Sequence, residues 1–343
     1  MREIAYPFGD TLPEPGTAME LVSDAGGQGV RWIRMPLPYA LNHINLWLVE
    51  DGDGKWCAVD TGMDMGDVKT HWLQLIAQYP LSRQIVTHYH PDHLGLAAWL
   101  QEQTGAPLSM TQGEYLTAQA FANEIGNYSP QATGELFRQH GLSTDRLAAL
   151  AQRGNAYQRA VPQIPATYTV LREHDLVRIG AHEWRVIIGH GHCPEHAALY
   201  CEALGVLIGG DMMLPSISTN VAVFAPNPDE DSLSDFLASI RRFTALPEDT
   251  LALPSHGRPF RGIHTRVAAL EKHHADRCAD LVTACRQQPY TAASLLPVLF
   301  QRDITDPHQT FFAMSEAIAH LNYLEQRGQL KRVNRDGILH YSA

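Results

Sequence analysis

No stretch of this 343-residue chain reaches the roughly 18 to 20 consecutive apolar residues that a membrane span needs. The opening MREIAYPFGDTLPEPG lacks a charged-then-apolar pattern, so no export leader is expected and the cytoplasm is the expected location. Cysteine is scarce: Cys57, Cys193, Cys201, Cys278 and Cys285 are odd in number and form no C-x-x-C pair. That argues against both a disulfide framework and a structural zinc knuckle. Positive charge is short as well, with 26 Lys and Arg against 37 Asp and Glu, a balance of −11 that disfavours nucleic acid as a partner. Neither internal repeats nor low-complexity tracts occur. Hydrophobic residues do abound, at 45%, enough for one large domain or two ordinary ones.

Short β-rich runs open the chain: VRWIRMPL, INLWLVED and WCAVDTG, the last two separated by the turn Asp51-Gly52-Asp53-Gly54. MGDVKTHWLQLIAQY has helical spacing, SRQIVTHYH is a strand entering a loop, and PDHLGLAAWLQEQTG predicts one helix with Pro91 in its first turn. Residues 112–165 lose the strand signal and predict a helical insertion, a lid or packing module. Strands return in DLVRIGAHEWRVIIGHG, ALYCEALGVLIGGD and TLALPSHG, with a helix, SLSDFLASIRRFTAL, between the last two. Beyond His256 come a long helix, two shorter ones and a hairpin turning on Arg335-Asp336-Gly337, a winged-helix-like unit over about 288–343.

The chemistry concentrates in THYHPDHLG, residues 87–95. Histidine is 18 of 343 residues, so three at chosen places within six arise by chance about once in ten thousand windows. His88 and His90, two apart at a strand end, point to one side, and Asp92 and His93 can turn toward the same space from the first helical turn. A tetrahedral zinc uses three such groups plus water, so four hint at two metals without settling it. Downstream, IIGHGHCPEH carries His190, His192 and His196, GVLIGGDMM carries Asp211, and LPSHGRP carries His256, each just after an apolar strand. The candidate set is His88, His90, Asp92, His93, a histidine of the 190s, Asp211 and His256. Cys193 reads as a bystander.

These segments in this order, with the Asp60-Thr61-Gly62 turn, resemble the metallo-β-lactamase superfamily over about residues 30–260. The resemblance implies an α/β fold, a four-layer αββα sandwich, with the helical insertion and a small C-terminal winged-helix-like domain added. Domain bounds of 1–260 and 261–343 follow. It also implies that His88, His90 and His192 hold one metal and that Asp92, His93 and His256 hold the other. Asp211 would bridge the two, and Asp60 would orient a ligand histidine from behind. His190 and His196 are then neighbours and not ligands.

Two divalent metal ions, zinc in such imidazole-rich surroundings with manganese or iron as alternatives, would supply a bridging hydroxide, and Asp92 would orient it or shuttle its proton. The expected function is hydrolysis of a small carbonyl ester, an acyl thioester or lactone, as in glyoxalase II. True β-lactamases of this fold typically have cysteine where this chain has Asp211, and the 44 residues from Met212 to Ser255 leave no room for a β-CASP insertion. The alternative is a ribonuclease or phosphodiesterase whose winged unit binds RNA. From Arg261 onward, however, ten Lys and Arg face eight Asp and Glu, with only Lys331, Arg332 and Arg335 clustered. A catalytically idle interaction module is disfavoured by the intact ligand set. Tyr115 and Tyr128 of the insertion and Asn220 after Asp211 are candidate substrate contacts. The expected partner is a small molecule, with the C-terminal unit walling the site or forming a homodimer contact.

Overall fold

The computed structural model describes residues 3–24 and 29–343. Two sheets form its centre. The first runs β1 (Met19–Ser23), β2 (Gly29–Pro36), β3 (His43–Gly52), β4 (Lys55–Val59), β5 (Leu81–Ile85), β6 (Leu108–Thr111) and β7 (Thr169–Leu171), antiparallel as far as β4 and parallel from there on. The second runs β8 (Leu176–Ile179), β9 (His182–Gly189), β10 (His196–Cys201), β11 (Val206–Gly210) and β12 (Leu251–Pro254), antiparallel except for the parallel pair β11–β12.

The period-2 alternation of the strands decides what each sheet face meets. On β3, Trp47 and Val49 enter the inter-sheet core with Trp184, Val186 and Leu199, whereas Leu46 and Leu48 face the opposite way. There they pack on α1 (Gly66–Gln78) and α3 (Ala97–Thr104) through Val68, Trp72, Leu75 and Leu100. Trp72 also donates its indole N–H to the Thr61 carbonyl at 2.7 Å, which ties α1 to the turn after β4. The outer face of the second sheet, with Ile187, Ala198 and Leu207, is covered by α8 (Ser232–Arg241) and α9 (Ile263–Gln287). Helix, sheet, sheet, helix is therefore the layer order, as the family resemblance implied.

The single helix expected from PDHLGLAAWLQEQTG is two: α2 (Pro91–Leu94) and α3. Leu96 N–H leaves the helical ladder for Gly62 O and Thr61 Oγ1, at 3.1 and 3.2 Å. Gly95 permits that approach, since a Cβ there would sit 2.5 Å from Pro91 O and 2.8 Å from Gly62 O. Strands β1, β6 and β7 were not expected from the sequence.

The insertion forms α4 (Gln112–Ala122), α5 (Pro130–Gln139), α6 (Thr144–Ala151) and α7 (Ala156–Ala160). The C-terminal segment continues from α9 into α10 (Ala292–Phe300), α11 (Pro307–Gln326) and the hairpin β13 (Lys331–Arg335)–β14 (Ile338–Ser342). It has no core of its own. One apolar cluster joins the outer face of the second sheet, Phe137 of α5 and α8 to α11. Cys278 and Cys285 lie buried in that cluster on one face of α9.

Buried neutral histidines are expected to make this region acid-sensitive. His320 bonds Glu316 O at 2.9 Å and His274 at 3.1 Å, and His140 stacks on Tyr341; burial pushes both His320 and His140 down to about 4. The unfolded chain takes up these protons near 6.5, so the stability they contribute is complete above that pH and is lost as pH falls toward 4. Each contributes up to about 3 kcal/mol over that window. We expect His320→Gln to be less stable than wild type at pH 7.5 but to lose less between pH 6.5 and 5, as read by urea unfolding. Parallel pH profiles for the two proteins would contradict this.

Candidate metal centre

Five strands deliver the candidate residues. β4 and β5 are parallel, and β9, β11 and β12 run in one direction because β10 is antiparallel to both β9 and β11. Each sheet thus gathers its carboxyl ends on one edge. Asp60 follows β4, Thr87 to His93 follow β5, His192 follows β9, Asp211 follows β11 and His256 follows β12. Asn45 of β3 clamps the two sheets at that edge: it donates to Pro254 O at 2.7 Å and Gly257 O at 2.8 Å, on either side of His256.

The histidines are held from behind. His192 Nδ1 donates to Asn220 O at 2.7 Å, His256 Nδ1 to His43 O at 2.9 Å and His93 Nδ1 to Asp60 Oδ2 at 2.8 Å. The Thr87 hydroxyl gives its proton to Asp60 and so accepts from His88 Nδ1 at 3.0 Å. Each bond fixes the tautomer that leaves the Nε2 lone pair free for a cation. Those lone pairs converge: His88 Nε2 is 3.2 Å from His192 Nε2 and 2.9 Å from His90 Nδ1. Without a positive charge among them, such neighbours repel.

Two groups of donors result. His88, His90, His192 and Asp211 form one, and Asp92, His93 and His256 form the other, with the donor atoms of each group within 4.8 Å of one another. Asp211 faces both. Its Oδ2 is 3.4 Å from His192 Nε2 and 3.9 Å from His88 Nε2, while its Oδ1 is 3.7 Å from His93 Nε2 and 3.5 Å from His256 Nε2. Asp92 Oδ2 is 3.4 Å from His256 Nε2. His93 Nε2 and Asp211 Oδ1 are buried without a hydrogen-bond partner, the pattern a metal position leaves in the protein alone. The donor set fits two divalent cations.

Electrostatics divides the two groups. Burial, then His192, pushes His90 down to about 3, so the first group offers neutral imidazoles. In the second, burial opposes charge on His93, but Asp60, Asp92 and Asp211 outweigh it and raise His93 to about 10. Burial would likewise raise Asp92, yet His93 and His256 bring it to about 2. That pocket demands positive charge beside its carboxylates.

Asp60 adopts φ +63°, a left-handed backbone that its neighbours over-determine. Its carboxylate also accepts from Thr87 N at 2.8 Å, so one side chain locks both the β5 loop and His93. Asparagine tolerates the same backbone. We expect Asp60→Asn to fold normally and to weaken metal retention in the second group about 10- to 100-fold, measured by titration with a chelator. Unchanged retention would remove the orienting role.

His190 is exposed and bonds Pro194 O. His196 is fully buried, and its Nε2 accepts the Asp211 N–H at 3.2 Å. Gly210, at φ +52°, makes that possible, because a Cβ there would meet His196 Nε2 at 2.3 Å. Of the residues expected to touch substrate, Tyr128 lines a cavity beside the site, but Tyr115 stacks on Tyr168 and bonds Pro165 O. Asn220 borders the site, although its side chain is turned to Glu316 of α11 at 2.7 Å.

Three functional positions were missed in the sequence. Glu114 of α4, fully buried, accepts Tyr89 N at 2.8 Å and Glu195 N at 2.6 Å, so the insertion pins both histidine loops. Asn45 and Glu316 act comparably from β3 and α11. None carries a strong local signal, although Asn45 and Glu316 are polar residues within largely apolar runs.

A family profile described as the Metallo-beta-lactamase superfamily matches residues 40–256, more than half of the chain, and one described as Metallo-beta-lactamase-like, C-terminal domain matches residues 278–343. The chain therefore belongs to the metallo-beta-lactamase superfamily and by class is a metal-dependent hydrolase. It is similar to the crystal structure of a beta-lactamase domain protein from Burkholderia ambifaria, with 45% identity, a TM-score of 0.90, and 99% of this chain and 98% of that one covered. The probable metallo-hydrolase YqjP of Bacillus subtilis is 22% identical over 85% of this chain and 91% of its own. A hydroxyacylglutathione hydrolase from Ectopseudomonas mendocina is 23% identical over 72% of this chain and 74% of its own. No helix among the described residues is long and apolar enough to cross a membrane.

Proposed function

We propose that His88, His90 and His192 hold one divalent ion, that Asp92, His93 and His256 hold a second, and that Asp211 bridges them for the hydrolysis of carbonyl esters, thioesters ahead of lactones. The observation carrying this reading is Asp211, whose two oxygens each face a different cluster of imidazoles. When bound, two such ions, zinc first given five imidazoles to two carboxylates, would bring the pKa of water to near 7 and polarise a carbonyl oxygen. The chain does the rest. Nδ1 anchors keep the rings aimed, and Asp92, lining the cavity, orients the attacking water and accepts its proton. The water oxygen bonds the carbonyl carbon, the C–S bond breaks, and Asp92 returns the proton to the departing sulfur, which leaves as the thiol. Similarity to a hydroxyacylglutathione hydrolase supports thioesters.

RNA is disfavoured on charge, since Arg332 on the hairpin is committed to Asp229 and Glu325, leaving Lys331 and Arg335. The deciding experiment is elemental analysis of the purified protein with a panel of acyl thioesters, lactones, phosphodiesters and RNA. Two metals per chain and thioester turnover insensitive to salt are expected. Metal-dependent cleavage of RNA alone would overturn the substrate class.

A further inference from the structure

Two cavities meet at the metal centre. The smaller, about 280 Å3, lies over Asp92, His192, Asp211 and His256. The larger, about 510 Å3, adjoins it through shared walls of Tyr39, Met63, His90, Pro91, His308 and Phe312. Nothing in the ligand set requires the larger space. It lies between the insertion and α11, two parts of the chain that are far apart in sequence.

Its chemistry is hydrocarbon. Phe121 of α4 is the hub, stacked on Tyr89 at 5.4 Å and edge-on to Tyr128 at 5.0 Å and Phe224 at 5.7 Å. Several polar groups of the wall are already engaged. The Tyr157 hydroxyl donates to Tyr89 O at 2.7 Å, Arg138 pairs with Glu135 through two bonds of 2.7 Å, and Arg153 bonds His308 at 2.9 Å. A polar guest would lose its water for few free partners, whereas an apolar one gains on entry.

We propose that the larger cavity is the acyl subsite, taking the hydrocarbon body of an ester or thioester with about eight to twelve carbons, a size suited to pockets of this volume. This rests on the hydrolase reading above. The acyl carbonyl then lies at the neck by His90, where the smaller cavity begins, and the thiol or alcohol part leaves through the smaller cavity. A small hydroxyacyl group would leave most of the space unfilled.

Gly134 supplies the test. It sits in α5 on the cavity wall, and a Cβ there meets nothing within 4 Å, so a side chain can be added at that point of the wall without a clash at its Cβ. Wild type, Gly134→Ala and Gly134→Trp would be compared, metal-loaded, on acetyl, hexanoyl and decanoyl thioesters of N-acetylcysteamine. Binding of acetate, hexanoate and decanoate would be followed by calorimetry. For wild type and Gly134→Ala, kcat/KM and carboxylate affinity should both rise, on the order of fourfold per buried methylene until the cavity fills. Gly134→Trp should lose at least tenfold on decanoyl while keeping acetyl turnover. A flat chain-length series, or a decanoyl preference untouched by Gly134→Trp, overturns the subsite and leaves the hydrolase reading standing. Chain-length-dependent binding abolished by Gly134→Trp, with no thioester cleaved, supports the subsite and sinks the hydrolase reading instead.

Discussion

Asp211→Ala is expected to lower turnover at least a thousandfold and to leave fewer than two metals per chain. Removing a carboxylate that faces both clusters forfeits several kcal/mol of charge stabilisation, and about 1.4 kcal/mol is a factor of ten in rate. The substitution deletes the two oxygens that lie 3.4 to 3.9 Å from four imidazoles. The fold should survive, because the bond to His196 comes from the Asp211 backbone N–H, which alanine keeps. Metal content by elemental analysis, alongside a thermal melt, checks both halves. Two metals held as tightly as in wild type would remove the bridge, and with it the central assignment.

The second large effect is at Asp92. Asp92→Asn keeps the volume and one oxygen but deletes the charge that helps to raise His93 and His256. It also deletes the proton acceptor proposed for the attacking water. A loss of about a thousandfold or more is expected in kcat, with KM for a thioester changed far less, the signature of an interaction made in the transition state. Asp92→Glu, which restores charge at a displaced position, should recover part of the rate. If Asp92→Asn instead raised KM and spared kcat, Asp92 would belong to substrate binding and not to proton handling.

Much of the candidate site was legible because its candidate ligands sit where local pattern is strongest. The THYHPDH cassette is contiguous, and Asp211 and His256 each follow an apolar run, so strand ends could be found without knowing what they approach. His192 was separable from His190 only through the family resemblance. In the structure Gly191, at φ +91°, turns the chain between them, leaving His190 exposed and His192 aimed inward. The break between α2 and α3 was not legible, because the groups that capture the Leu96 N–H lie more than thirty residues upstream.

The sequence by itself determined the inventory of donors and most of the strand ends that carry them, while the layer order came from the family resemblance those segments carry. Alternation and helical spacing are properties of neighbouring residues, and they fix which face each element must bury. Tertiary structure alone decided how Asn45, Glu114 and Glu316 brace the loops, and that a largely apolar space opens beside them. Those features exist only where segments distant along the chain pack together, and their geometry is set by the fit of side chains whose identities carry no record of their eventual neighbours.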